Sequence, residues 1–174
     1  FLLYAKLSNK LSRANLFYVC LIPYLLFFAA FAFYIYPNRE FLHPSEETIF
    51  ILRETCPHLK WFISLYGIWS FAFFYILSDL YGSIVIGLLF WQFANEITRT
   101  NEAKRFYSFF GLLGNMALIS SGTFGEYMAD LNSQLSSPSE AWALSITYML
   151  TAAIVSGCGV LLLYHWMDRY VLTD

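Results

Sequence analysis

Four apolar runs divide the chain, at 16–36, 61–93, 106–128 and 142–164. Each reaches the ~20 residues that carry a helix across a bilayer. In hydrocarbon every backbone N–H and C=O must find its partner within the protein, which leaves only helices and closed barrels as spanning structures. These runs are continuously apolar rather than alternating, so they read as helices. Composition agrees, since 59% of the 174 residues are hydrophobic and only 13% are charged. Soluble domains carry roughly 25% charged residues. The expected fold class is an all-α integral membrane protein with four transmembrane helices in this stretch.

The second run is the longest. As one helix it would extend roughly 50 Å, beyond the ~30 Å hydrocarbon core, and is expected to tilt or project. Pro23 lies inside the first run, where a membrane helix tolerates it as a kink. Between the first two runs, Ser45 precedes Glu46 and Glu47. A hydroxyl N-cap followed by acids in the first turn predicts a short interfacial helix from about 46 to 55. Residues 94–105 form a compact polar connection, and 129–141 a Ser-rich turn.

Charge sets the orientation. Lys6, Lys10, Arg13, Arg99, Lys104, Arg105 and Arg169 fall on one side of the predicted membrane, and Arg39, Arg53 and Lys60 on the other. Seven cations against three place the first side in the cytoplasm. Aromatic residues gather at the run ends, among them Tyr36, Trp61, Trp91, Tyr107, Trp142 and Trp166, as an interfacial belt requires. The net charge of −2 and the lack of a basic block argue against nucleic-acid binding. The cysteines Cys20, Cys56 and Cys158 show no paired spacing, so neither a disulfide framework nor a zinc motif follows.

Asp79 is the residue that packing alone does not explain. It lies far from both ends of the second run, where an isolated charge costs on the order of 2.5–3.5 kcal/mol on insertion scales. A carboxylate there must face protein or a watery cavity, so a substrate, ion or proton site is expected. Fixing a cation on another helix is the alternative reading. Helical spacing sets Tyr75, Gly82, Ser83 and Ile86 on the same face.

The third run is polar for a span. Ala117, Ser121 and Gly125 recur every four residues and Asn115 adds an amide. The stripe suits close helix approach, and Asn115 either bonds a neighbouring helix or recognises a polar ligand. Glu126 is expected as a rim charge. Lys104 and Arg105 stand at the cytoplasmic mouth. Topology alone accounts for them, or they attract an anionic solute or pair with Glu96 or Glu102 as a gate. His43, Cys56 and His58 share one exterior loop without the spacing of a metal site. His165 is expected to anchor at the interface beside Trp166. No phosphate-binding loop, dinucleotide fingerprint or nucleophile elbow occurs, so nothing points to an enzyme or to a cofactor.

The stretches "YPNREFLHP", "FYILSDLYGS" and "LFWQFANEITRTNEAKRFYSFFGLLGN" resemble the ATP/ADP translocases of plastids and of rickettsia- and chlamydia-type intracellular bacteria. The resemblance covers the whole chain. It implies a fragment of a longer protein, with these runs as the third to sixth of twelve spans in a major-facilitator-like architecture. It also implies exchange of ATP for ADP, with or without phosphate, in a bacterial inner membrane or a plastid inner envelope. Where the family pattern reads "AELWGS" this chain has "SDLYGS", so Asp79 keeps the charge on a shorter side chain and Tyr81 replaces a Trp. Cations expected to meet the phosphates lie on other spans. A facilitator for another nucleotide or small solute, with Asp79 carrying a proton, is the competing reading.

Overall fold

The computed structural model describes residues 6, 8–133 and 137–171. Among them there are helices and turns and no strand. Part of the Ser-rich turn at 129–141 and the first five residues lie outside the described residues.

The first long helix, α1, spans Arg13–Ile35. Ser12 caps it, its Oγ accepting the Asn15 N–H at 3.4 Å. Pro23 sits inside without ending it. The last turns, Phe31–Ile35, widen into a π-helix, closed where the Tyr36 N–H donates to the Phe31 carbonyl at 2.9 Å. Leu16, Phe17, Leu21, Leu25, Phe28, Phe31 and Ala32 are buried, adjacent or three to four residues apart, so that they line one face of the helix. This makes α1 the most enclosed of the long helices.

Two short helices follow, α2 (Arg39–Leu42) and α3 (Glu46–Thr55). The second has the expected bounds because Ser45 Oγ accepts the Thr48 N–H at 3.3 Å and Glu46 and Glu47 face the positive end of the helix dipole.

The 61–93 run is not one tilted helix, contrary to the sequence expectation. It breaks at Ile68 (φ −122°, ψ 29°) into α4 (Lys60–Gly67) and α5 (Trp69–Ile97). Two bonds from the preceding loop hold the top of α5 at this break. The Trp69 indole N–H donates to the Leu42 carbonyl at 3.1 Å, and His43 Nε2 meets Ser70 Oγ at 2.7 Å. α4 folds back on α3, and the approach is close, since a Cβ on Gly67 would sit 3.3 Å from Ile49 Cδ1. The middle of α5, Gly82–Phe90, is a π-helix.

The last two helices are α6 (Ala103–Ser133) and α7 (Pro138–Tyr170). Among the described residues, three helices are long and apolar enough to cross a membrane: α1, α5 and the 140–170 part of α7. α6 has the length, at 31 residues, but its Gly, Ser, Thr and Asn content keeps it out of that group.

α1 is the axis of the assembly. It packs against α5 on one side and α7 on the other, and α6 lies against α7. Near the N-terminal end of α1, Phe17 stacks on Tyr164 at 3.9 Å and Tyr164 meets Phe93 at 5.4 Å. Near its C-terminal end, Phe31 stacks on Phe74 at 4.3 Å. Midway, a Cβ on Gly157 would run into the Leu25 side chain. A larger residue there would have to displace Leu25 from the contact between α1 and α7.

Candidate functional site

Asp79 occupies the last turn of the α-helical part of α5, three residues before the π segment begins. Ser70, Phe71, Phe74 and Tyr81 turn toward α1 and its neighbours. Tyr75, Asp79, Ser83 and Ile86 are exposed. The expected strip is therefore one continuous free face of α5, opposite its packing face. Its spacing opens beyond Gly82, because a π-helix carries more residues per turn than an α-helix. The Asp79 carboxylate makes no hydrogen bond or ion pair among the described residues. Beside it, Ser78 Oγ is buried and has no hydrogen-bond partner among the described residues.

Asn115 lies on α6 and is exposed. α5 and α6 meet near the connection at 98–102, through Phe90 against Phe110 at 5.6 Å and Trp91 against Tyr107 at 5.6 Å. The Tyr107 hydroxyl donates there to Asn95 Oδ1. The structure thus sets Asp79, Tyr75 and Ser83 on one face and leaves Asn115 on a separate helix, with no bond joining it to them.

Lys104 and Arg105 stand exposed in the first turn of α6. Cations at a helix N-terminus oppose the macrodipole, so local helix electrostatics does not hold them there. Glu96, one of their expected partners, is instead taken by Arg13, which ties the start of α1 to the end of α5. Sequence reading had no signal for this pair, as 83 residues separate its members. His165 likewise does more than anchor, its Nδ1 lying 3.2 Å from the Tyr18 hydroxyl.

On the opposite side, Arg39, Glu40, His43, Glu46 and Arg53 border a cleft of about 960 Å³ between the loop and the α3–α4 pair. Burial, then the Arg39 guanidinium, hold the His43 imidazole below the usual histidine range. His43 is engaged with Ser70 and with the Phe71 ring at 5.2 Å. Among the described residues no three His, Cys, Asp or Glu side chains converge as a metal site would need.

A sequence model of the family described as "TLC ATP/ADP transporter" matches residues 1–174. ADP,ATP carrier protein 1 of Rickettsia bellii (strain RML369-C) is 44% identical over 99% of this chain and 34% of its own length. ADP,ATP carrier protein 1, chloroplastic, of Arabidopsis thaliana is 42% identical over 98% of this chain and 27% of its own. ADP,ATP carrier protein 1 of Chlamydia pneumoniae is 42% identical over 99% and 34%. The chain therefore spans about a third of the length of these relatives. No solved structure matches.

Proposed function

The chain belongs to the TLC ATP/ADP transporter family, and on that premise we propose that the complete protein exchanges ATP for ADP across a membrane by alternating access. The carrying observation is a family match over every residue of the chain, with relatives above 40% identity that are named ADP,ATP carriers. α1, α5, α6 and α7 serve as spans three to six of twelve in a facilitator-like architecture, with two halves rocking around a site near the midplane. The membrane is a bacterial inner membrane or a plastid inner envelope, and ADP is exchanged with or without phosphate. The protein moves its substrates without chemical conversion.

In this reading Asp79, Tyr75 and Ser83 line the cavity from α5 and Asn115 from α6, while Lys104 and Arg105 attract the anionic solute at the cytoplasmic mouth. A triphosphate needs cations, so Asp79 does not hold phosphate. It binds the base or the ribose hydroxyls, or pairs with a cavity Lys or Arg that nucleotide releases. Its lack of a protein partner among the described residues supports a role toward a ligand or toward a residue outside this chain. An empty carrier that left such charges unpaired in a low-dielectric cavity would resist the return step, which favours exchange over one-way transport.

The test is uptake of radiolabelled ATP into bacteria expressing the full-length protein, with unlabelled ADP, GTP and CTP as competitors. Uptake that ADP competes and that needs internal nucleotide supports the reading. Uptake that follows a proton gradient without counter-nucleotide replaces it with a proton-coupled facilitator.

A further inference from the structure

α6 has two unlike sides. One belongs to the bundle: Phe110 packs against Phe90 of α5, Met128 is buried, and the Asn132 amide donates to Ser145 Oγ of α7. Phe110 and Met128 lie roughly five full turns apart, and so on one line along the helix, at 3.6 residues per turn. On the far side, roughly 100–180° around from that line, run Lys104, Ser108, Gly111, Asn115, Gly122 and Glu126, with Leu112 and Ile119 among them. All are exposed, and a Cβ on Gly111 or Gly122 would meet nothing within 4 Å. α1, α5 and α7 leave this side bare.

Lipid is a poor cover for it. Lys104 and Glu126 stand roughly 33 Å apart along the axis, close to the ~30 Å thickness of the hydrocarbon, and Asn115 lies halfway between them. Ser108 Oγ donates to the Lys104 carbonyl at 2.8 Å, so its hydroxyl is satisfied within the helix. The Asn115 amide has no such bond among the described residues, and against acyl chains it would lose its hydration without compensation. A second copy is no better. Two copies meeting by this side about an axis along the membrane normal present the same patch to each other. Lys104 and Arg105 would then face their own kind at one end and Glu126 would face Glu126 at the other, and like charges set opposite each other disfavour a contact. The chain spans about a third of the length of its relatives, and in a protein of that length the remaining chain is the cover that is left.

We infer that this far side of α6 docks a helix from the part of the full-length protein outside residues 1–174, which rests on the reading above that α6 crosses the membrane. Gly111 and Gly122 let the partner's backbone come close, and Asn115 bonds across the contact, as interhelical amides do in membranes. The partner brings an acid level with Lys104 and Arg105 and a base level with Glu126. Asn115 meets solute only in the state in which this helix has moved away. None of this depends on which solute is carried.

The experiment is photo-crosslinking of the full-length protein in bacterial membranes, with benzoylphenylalanine in place of Leu112 or Ile119, without nucleotide and with ADP. The expected product keeps the mobility of one chain and joins either position to a peptide outside residues 1–174 in at least one condition. Gly111→Leu together with Gly122→Leu should lower the yield from position 119 at least about fivefold, the lower end of what overpacking costs. Glu126→Lys should lower it more than Glu126→Gln. Adducts with lipid alone, a product of twice the mass, or no adduct in either condition overturns the inference, the last showing that water covers this side. A yield that neither the glycine pair nor Glu126→Lys alters also overturns it, since no helix is then seated there. No readout needs transport, so a failed exchange assay leaves the docking intact.

Discussion

Arg13 and Glu96 form an ion pair that joins the start of α1 to the end of α5. It closes one end of the helix pair whose other end is pinned by the bond between His43 and Ser70. Between these two ties lies the free face that carries Asp79.

The ion pair itself is a modest tie. Arg13 is 72% exposed and Glu96 35%, and exposed pairs contribute roughly 0.2–1 kcal/mol. Arg13→Gln and Glu96→Gln should each lower stability by no more than about 1 kcal/mol, and combining them should cost less than the sum. Thermal unfolding in detergent, arranged as a double-mutant cycle, reads the coupling. Additive losses would show that the two side chains do not interact.

The contact between α1 and α7 is far less forgiving. In Gly157→Ala the new methyl meets Leu25 Cδ2, and overpacking of this kind costs about 1–3 kcal/mol. The loss should shrink in a Leu25→Ala background, where the obstructing atoms are gone. Equal losses in both backgrounds would place the helix contact elsewhere.

His43 should make stability depend on pH. Its folded-state affinity for protons is lowered by burial and by Arg39, so the unfolded chain binds the proton more readily. The stabilising contribution is complete above the ordinary histidine value of about 6.5 and is lost as pH falls below it. Melting temperature should therefore drop more steeply on acidification for the wild type than for His43→Gln. Parallel profiles would mean that His43 titrates alike in both states.

The N-cap of α3 offers a local check. Ser45→Ala removes the acceptor for the Thr48 N–H and should cost about 0.5–2 kcal/mol in that helix. Faster amide exchange confined to 46–55 is the expected signature.

α3 was legible because a cap and first-turn acids are local signals, readable within four residues. The long helices were legible because a bilayer demands unbroken apolar length. The break at Ile68 was hidden for the same reason: hydrophobicity continues through it, and what stops the helix is a pair of bonds from Leu42 and His43, distant in sequence. The third run read as a span by length and pattern, yet its polar content sets α6 apart from the other long helices. Asp79 stood out through its depth in an apolar run, and its face followed from helical spacing. What Asp79 touches did not follow, since its proposed partners lie beyond the chain. Nor did the sequence reveal the π segment after Gly82, because π and α turns favour much the same residues.

The central claim is that Asp79 lines a nucleotide site. Its most direct test is ATP/ADP exchange by the full-length protein in vesicles loaded with ADP, comparing wild type with Asp79→Asn and Asp79→Glu. Asp79→Asn should lower exchange at least about tenfold, a loss of ~1.4 kcal/mol, while Asp79→Glu should retain exchange with altered nucleotide preference. Unchanged exchange and unchanged apparent affinity in Asp79→Asn would contradict it.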